Sequence, residues 1–245
     1  MMGSEIDIKV GWRMNAQKLS KRLEMVASFV PSGAVVADIG SDHAYLPCYL
    51  VHKGMVKHAV AGEVVKGPYD SAVSHVRLEG LTDKVTVRMA DGLAAIEKED
   101  RVDTVTIAGM GGPLIVSILE KNPEVLEFVT RLVLQPNIHA KVIRDWALAN
   151  DWAITDEVIL EEDDKIYEIL VLQRGPMKLS EAELLLGPYL SVRRSEVFMK
   201  KWSREIEQWK RVLKAIEEAE EKEDIKAKRI ELTHLIALVE GVLGI

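Results

Sequence analysis

The chain has 245 residues, 48% of them hydrophobic, and a net charge of -7. That is enough for one large α/β domain with an appendage. No apolar run approaches the ~18 residues of a membrane span, the first residues carry no signal-peptide stretch, and the single cysteine, Cys48, excludes an internal disulfide or a multi-cysteine metal site. These features lead us to expect a soluble cytoplasmic protein.

In chain order, residues 16–29 place Leu19, Leu23, Val26 and Phe29 on one helical face, and Pro31–Ser32–Gly33 ends that helix. AVVADIG reads as a buried strand and HAYLPCYLVHKG as the helix after it, with Pro47 tolerated in its first turn. HAVAGEVV is a second strand. YDSAVSHVRLEG is a second helix closed by Gly80. KVTVRMADG and VDTVTIAGMGG are further strands, the latter with a glycine-rich exit into the helix PLIVSILEKN. RLVLQPN is a fifth strand and HAKVIRDWALAND the helix that follows.

Strands alternating with helices in this way predict a parallel sheet covered on both faces. WAITDEVILEED and KIYEILVLQRG then break the rhythm, joined only by a short acidic turn. They predict a hairpin with one strand antiparallel to the rest. The expected fold is therefore α/β: a Rossmann-like sheet of the S-adenosylmethionine-dependent methyltransferase type, closed by an antiparallel hairpin.

After Gly175–Pro176 no strand signal remains. Trp202, Ile206, Trp209, Leu213 and Ile216 form one apolar stripe, and Leu232, Leu235, Val239 and Val242 another, separated by the charged run EEAEEKED. The stripes predict an antiparallel helical hairpin with a coiled-coil seam. The expected division is residues 1–175 as the Rossmann-like domain and 176–245 as a helical coiled-coil domain.

Charge is unevenly spread. From Pro176 onward acids and bases balance at 13 each, yet Arg193 to Lys214 holds eight bases against three acids. Such a stripe is either a solvated helix face or a surface for phosphates.

The candidate site lies at the strand exits, where open α/β sheets bind ligands. Asp38 and Gly40 end the first strand, and the next helix offers free N–H groups at its start. The turn lacks the G-x-G-x-x-G spacing that holds a pyrophosphate. Asp38 and Asp42 would repel a pyrophosphate but suit the ammonium and sulfonium charges of a methyl donor. Glu63 ends the second strand and can bind ribose hydroxyls, a role that serves NAD equally well. Asp91 can accept from an adenine amino group with Gly92 leaving room for the ring, or can form an ordinary Asp-Gly turn. AGMGG, residues 108–112, leaves a flat space for a planar base or packs as a flexible loop. Gln135, Pro136 and Asn137 lie near the same edge, with Asn137 a ligand contact or a helix cap. No histidine cluster has metal-ligand spacing, and no Ser-His-Asp arrangement is suggested.

Together and in order, these motifs resemble the bacterial tRNA (adenine-N1)-methyltransferases that act on the adenine at position 22, the TrmK family. The resemblance runs through ADIGSDHAYLP, AGEVVKGP, VRMADGL, DTVTIAGMGG, LVLQPN and ILEEDDKIYEILV. The tail fits by architecture alone, since the family carries a C-terminal coiled coil. The resemblance implies S-adenosylmethionine as cofactor and tRNA as partner; from the residues themselves neither metal nor membrane is expected. Carried over by position, it implies donor binding by Asp38, Gly40, Ser41, Asp42, His43, Glu63, Val64, Asp91 and Gly92. Ala108, Gly109, Met110, Gly111 and Gly112 would border donor and target base. Asp42 and His43 are the candidates for a catalytic part. Arg193, Arg194, Lys200, Lys201 and Arg204 are expected to meet RNA phosphates, with Arg13, Lys18, Lys21 and Arg22 extending that surface. A monomer is expected.

Overall fold

The computed structural model describes residues 18–217 and 223–245. Among them lies a seven-stranded sheet of order β3-β2-β1-β4-β5-β7-β6. Its strands are β1 (Val35–Ile39), β2 (His58–Glu63), β3 (Val85–Met89), β4 (Thr104–Gly111), β5 (Arg131–Ile138), β6 (Trp152–Glu162) and β7 (Lys165–Arg174). The first five pair in parallel, and β7 runs antiparallel to both β5 and β6. The order reverses between β1 and β4, so the crevice outside their carboxyl ends is the expected ligand position.

Helices α1 (Lys21–Ser28), α2 (Tyr45–His52) and α3 (Lys66–Leu78) bury one face around Val26, Val36, Leu50, Val76 and Val133. Helices α4 (Gly112–Lys121) and α5 (Ala140–Ala149) bury the other around Ile107, Ile115, Leu134, Ile143 and Leu172. The β7 residues obey the period-2 rule: Ile169 faces the first core, and Leu170 and Leu172 face the second.

Several boundaries differ from those read in the sequence; His43 and Ala44, for example, belong to the left-handed turn before α2. The first helix starts at Lys21, because Ser20 turns out of helical geometry and its hydroxyl accepts from the Leu23 N–H at 3.2 Å. The second helix of the alternating region starts at Lys66, earlier than its apolar pattern indicates.

The tail begins with two short helices, α6 (Glu181–Leu186) and α7 (Pro188–Arg193), before the long α8 (Glu196–Glu217) and α9 (Glu223–Leu243). Helices α8 and α9 form a hairpin cored by Phe198, Trp202, Ile206, Ile236, Val239 and Leu243. On α9 the buried stripe is Leu232, Ile236, Val239 and Leu243, so it centres on Ile236 where the spacing predicts Leu235. The rotation follows from a second neighbour: Leu186 and Leu190 of α6 and α7 join the same core.

That core is joined to the sheet by a buried ionic cluster. The Arg144 side chain of α5 is fully buried and pairs with Glu157 of β6 at 2.7 Å and Glu168 of β7 at 2.5 Å. It also donates to the Leu184 and Leu185 carbonyls at 3.4 and 3.2 Å. Glu157 accepts in turn from the Tyr189 N–H at 3.1 Å, and Glu168 pairs with Lys201 of α8. Gly187, at φ 93°, passes so close that a Cβ would lie 2.6 Å from Glu157 Oε2.

Candidate functional site

A cavity of about 230 Å³ opens at the reversal point between β1 and β4. Asp38, Gly40, Ser41 and Asp42 form one wall, Ala108, Gly109 and Met110 another, and Arg22, Tyr45 and Leu46 complete it. The first turn and the glycine loop are therefore brought together, as the motif order predicts.

The turn after β1 is built from left-handed residues. Gly40 has φ 71°, and a Cβ there would collide with the Met110 methyl group. Asp42, His43 and Ala44 follow at φ 41, 64 and 56°. Left-handed geometry is disfavoured for residues with a Cβ, so outside contacts must hold the turn. The Gly40 and Ser41 N–H groups donate to the Gly62 carbonyl at 2.9 and 3.3 Å. The Asp42 N–H donates to Glu63 Oε1 at 2.6 Å. The His43 carbonyl accepts from His75 Nδ1 at 2.7 Å. Tyr45 stacks on His43 at 5.3 Å and meets His75 edge-on at 4.9 Å.

Asp38 is buried, and both its oxygens are occupied. The Ser41 and Thr106 hydroxyls each donate to it at 2.6 Å. Burial pushes its carboxyl from the ordinary value up to about 6, against the pull of those two hydroxyls. Burial also raises Glu63, while the Asp42 N–H lowers it. By contrast the Asp42 side chain is 75% exposed and stands 3.6 Å from His43 Nε2.

Further along the sheet edge, Val64 and Met89 are exposed at 63% and 57%, an apolar shelf beside the ends of β2 and β3. Asp91 does not point alone into this space, since it pairs with Lys121 of α4. Gly92 is left-handed at φ 60°, and a Cβ there would sit 3.1 Å from Ile118.

The glycine loop is more ordered than its composition suggests. The pairing of β4 with β5 shifts register between Ala108 and Met110, making Gly109 a bulge at φ 81°. Gln135, fully buried, accepts from the Gly109 N–H at 2.9 Å and from the Arg22 guanidinium. Its amide donates to Asn137 Oδ1 at 3.3 Å, and Asn137 Nδ2 donates to the Gly109 carbonyl at 2.7 Å. Both polar ends of the Gly109 residue are thus held by β5 side chains. Gly112 packs so tightly that a Cβ would strike the His139 carbonyl.

Sequence reading missed this network. Gln135 and Asn137 were visible near the edge, but Arg22 is 113 positions from Gln135, and nothing local in the chain announces their contact. Arg22 also lies 5.2 Å over the Tyr167 ring. It therefore forms part of the cavity wall, not an outlying phosphate contact alone.

The basic stripe is partly engaged by acids of β6 and β7. Arg193 pairs with Asp156 at 2.8 Å, Lys200 with Glu161 at 2.5 Å, and Lys201 with the buried Glu168. Arg194 donates to the Ser191 carbonyl at 3.1 Å, and its side chain is exposed, as is that of Arg204. Lys18 and Lys21 are exposed beside the start of α1. Arg13 lies outside the described residues. Among the described residues no group of acids, histidines or cysteines could hold a metal ion, and no helix is long and apolar enough to cross a membrane.

Comparison with known proteins places these motifs in context. The family model described as "TrmK: tRNA (adenine(22)-N(1))-methyltransferase" matches residues 36–241. The tRNA (adenine(22)-N(1))-methyltransferase of Bacillus subtilis strain 168 is 45% identical over 94% of this chain and 99% of its own length. A Streptococcus pneumoniae protein crystallised with S-adenosyl-L-methionine is 47% identical, with TM-score 0.85 over 92% of this chain and 100% of that one. The TrmK of M. capricolum, in complex with the cofactor product S-adenosyl-homocysteine, is 28% identical, with TM-score 0.81 over 91% of this chain and 96% of its own.

Proposed function

The chain belongs to the tRNA (adenine(22)-N(1))-methyltransferase family, and from that premise we propose that it transfers the methyl group of S-adenosylmethionine to N1 of the adenine at position 22 of tRNA. The observation that carries the reading is the buried Asp38 carboxyl in the wall of the cavity at the β1–β4 reversal. A carboxyl held up at about 6 by burial suits a cationic ligand, whose charge favours its ionised form. A pyrophosphate would meet Asp38, Asp42 and Glu63 together, which argues against a dinucleotide.

S-adenosylmethionine supplies an electrophilic methyl group on a sulfonium. Asp38 and Ser41, with the turn through His43, are assigned to its amino-acid end. Glu63 keeps one oxygen for ribose hydroxyls after accepting from Asp42. Val64 and Gly92 flank the donor adenine, with Asp91 at its edge once Lys121 shares or releases it. Ala108 to Gly111 border both donor and target base.

Adenine N1 carries its own lone pair, so no protein base is needed to prepare it. The work of the chain is alignment and exclusion of water. The adenine must leave its stack to react, and the Gly109 bulge, fixed by Gln135 and Asn137, gives it a wall without side chains. Methylation makes the base cationic. Asp42, exposed at the rim, is the candidate to offset that charge, with His43 beside it as a positioning group. Arg194 and Arg204 are the foremost candidates for tRNA phosphates. Arg193, Lys200 and Lys201 would first have to exchange their carboxylate partners. We assign residues 1–175 to catalysis and the helical tail to tRNA, acting as a monomer.

The test is methyl transfer from labelled S-adenosylmethionine to unmodified tRNA transcripts bearing adenine or guanine at position 22. Label recovered as N1-methyladenosine in the adenine transcript alone is expected. Label in neither, with donor binding intact, would point to another acceptor.

A further inference from the structure

A second cleft, of about 420 Å³, lies where the end of β5 faces β7 and α8. We propose that it receives an unstacked nucleobase of the acceptor RNA, the neighbour of the adenine that reacts. The proposal rests on the methyl-transfer reading above.

Three features argue for a base. The first is the lining. Ile138 and Ile166 offer aliphatic faces, while Asn137, Arg204 and Glu205 offer amide, guanidinium and carboxylate groups. Bases taken out of their stack are held by apolar packing on their faces and hydrogen bonds to their polar edges. The second is charge. Lys201 and Glu168 also line the cleft, but they pair with each other. Arg204 is the cation left for the backbone phosphate of the nucleotide, and the aliphatic faces are left for its base. Size is compatible, since small-ligand sites span roughly 300–1,000 Å³.

The third feature is continuity with the donor cavity. Asn137 lines the second cleft and donates to the Gly109 carbonyl at 2.7 Å, while Gly109 lines the first. One hydrogen bond thus joins the two linings. Ile138 pairs in register with Gly111 of the glycine loop and is 61% exposed. An adenine drawn from its stack to reach the donor leaves its neighbour with an uncovered face, and the adjoining cleft can cover such a face.

The experiment combines protein and RNA changes. Ile138→Ala with Ile166→Ala, in the full chain, is assayed for tRNA KM, kcat, donor affinity and thermal melting. Transcripts are intact or abasic at the nucleotide on either side of position 22. The expected result is a KM for intact tRNA raised on the order of tenfold, as loss of apolar cover on one base would give, with donor affinity and melting unchanged. One abasic transcript should impose the same loss on the wild type and no further loss on the variant. A variant with wild-type KM overturns the proposal, as do losses that multiply for both abasic transcripts. Failure of the wild type to methylate any transcript would instead overturn the tRNA reading, and the cleft assignment with it.

Discussion

The Thr106 hydroxyl of β4 donates to Asp38 of β1 at 2.6 Å, across the seam where the strand order reverses. Together with Ser41 it fixes the carboxyl in the cavity wall, yet burial still raises its pKa to about 6. The sign of the linkage is then set. The cationic donor prefers ionised Asp38, so its affinity should rise as pH climbs through about 6 and level off above. Below that value the loss should approach ~10-fold per pH unit. Calorimetric titration from pH 5 to 8 reads this directly, and Asp38→Asn should remove the step. A step that persists in the Asn variant would assign it to another group.

Asp42 and Glu63 should separate in their effects. Asp42 meets Glu63 through its backbone N–H, while its side chain stands in solvent. Asp42→Asn keeps a side chain tolerant of left-handed geometry and removes the charge. It should lower kcat with donor affinity little changed, whereas Glu63→Ala should mainly weaken the donor. A collapse of donor affinity in Asp42→Asn would make Asp42 a donor ligand.

Gln135 should matter beyond its size. Replacement by Leu keeps the volume but releases the Gly109 N–H, Arg22 and Asn137 together. A wall misplaced by about 1 Å can cost roughly 10²-fold in rate. We expect a loss of that order in kcat/KM for tRNA, and Arg22→Ala added to it should cost little more. Losses that multiply would show that the two residues act separately.

Arg144 should be the most sensitive position for stability. Its removal leaves the buried Glu157 with no cationic partner and the buried Glu168 with Lys201 alone. Breaking such a cluster from one side costs about 3–5 kcal/mol, so Arg144→Ala should lower the melting temperature sharply. Lys201→Met should cost less, because Glu168 retains Arg144. Equal losses would contradict this ranking.

Truncation should depend on where the chain is cut. Ending it after Gly175 removes the Leu184 and Leu185 carbonyls and the Tyr189 N–H that satisfy Arg144 and Glu157. Ending it after Arg194 keeps them. The longer fragment should bind donor and lose affinity for tRNA, and the shorter one should melt lower. A longer fragment that methylates tRNA at full efficiency would sink the role given to α8 and α9.

The sheet was legible because it depends on local patterns: buried strands, amphipathic helices and a hairpin turn. The first turn and the glycine loop were legible because backbone freedom shows up as glycine. The Arg144 cluster was not. Arg144 sits in VIRDW on a helix whose other charges are exposed, and its burial is decided by Glu157 and Glu168 on strands folded later in the chain. An acid within the apolar run of each hairpin strand was the one available signal. The pairing of Lys121 with Asp91 and of Arg22 with Gln135 likewise joins residues 30 and 113 positions apart. No periodicity reports such contacts.

The buried cluster also makes the tail a lever. Helix α8 has 22 residues, a span of about 33 Å at the usual helical rise. Its root is tied to the sheet through Lys201 and Glu168. A tilt of about 5° at that root would carry the far end, about 24 Å beyond Lys201, roughly 2 Å. The direction in which the arm extends, and hence the distance from the methyl donor to the outermost part of a bound RNA, is thus gauged at its root by the ion pairs of Lys201 with Glu168 and Lys200 with Glu161.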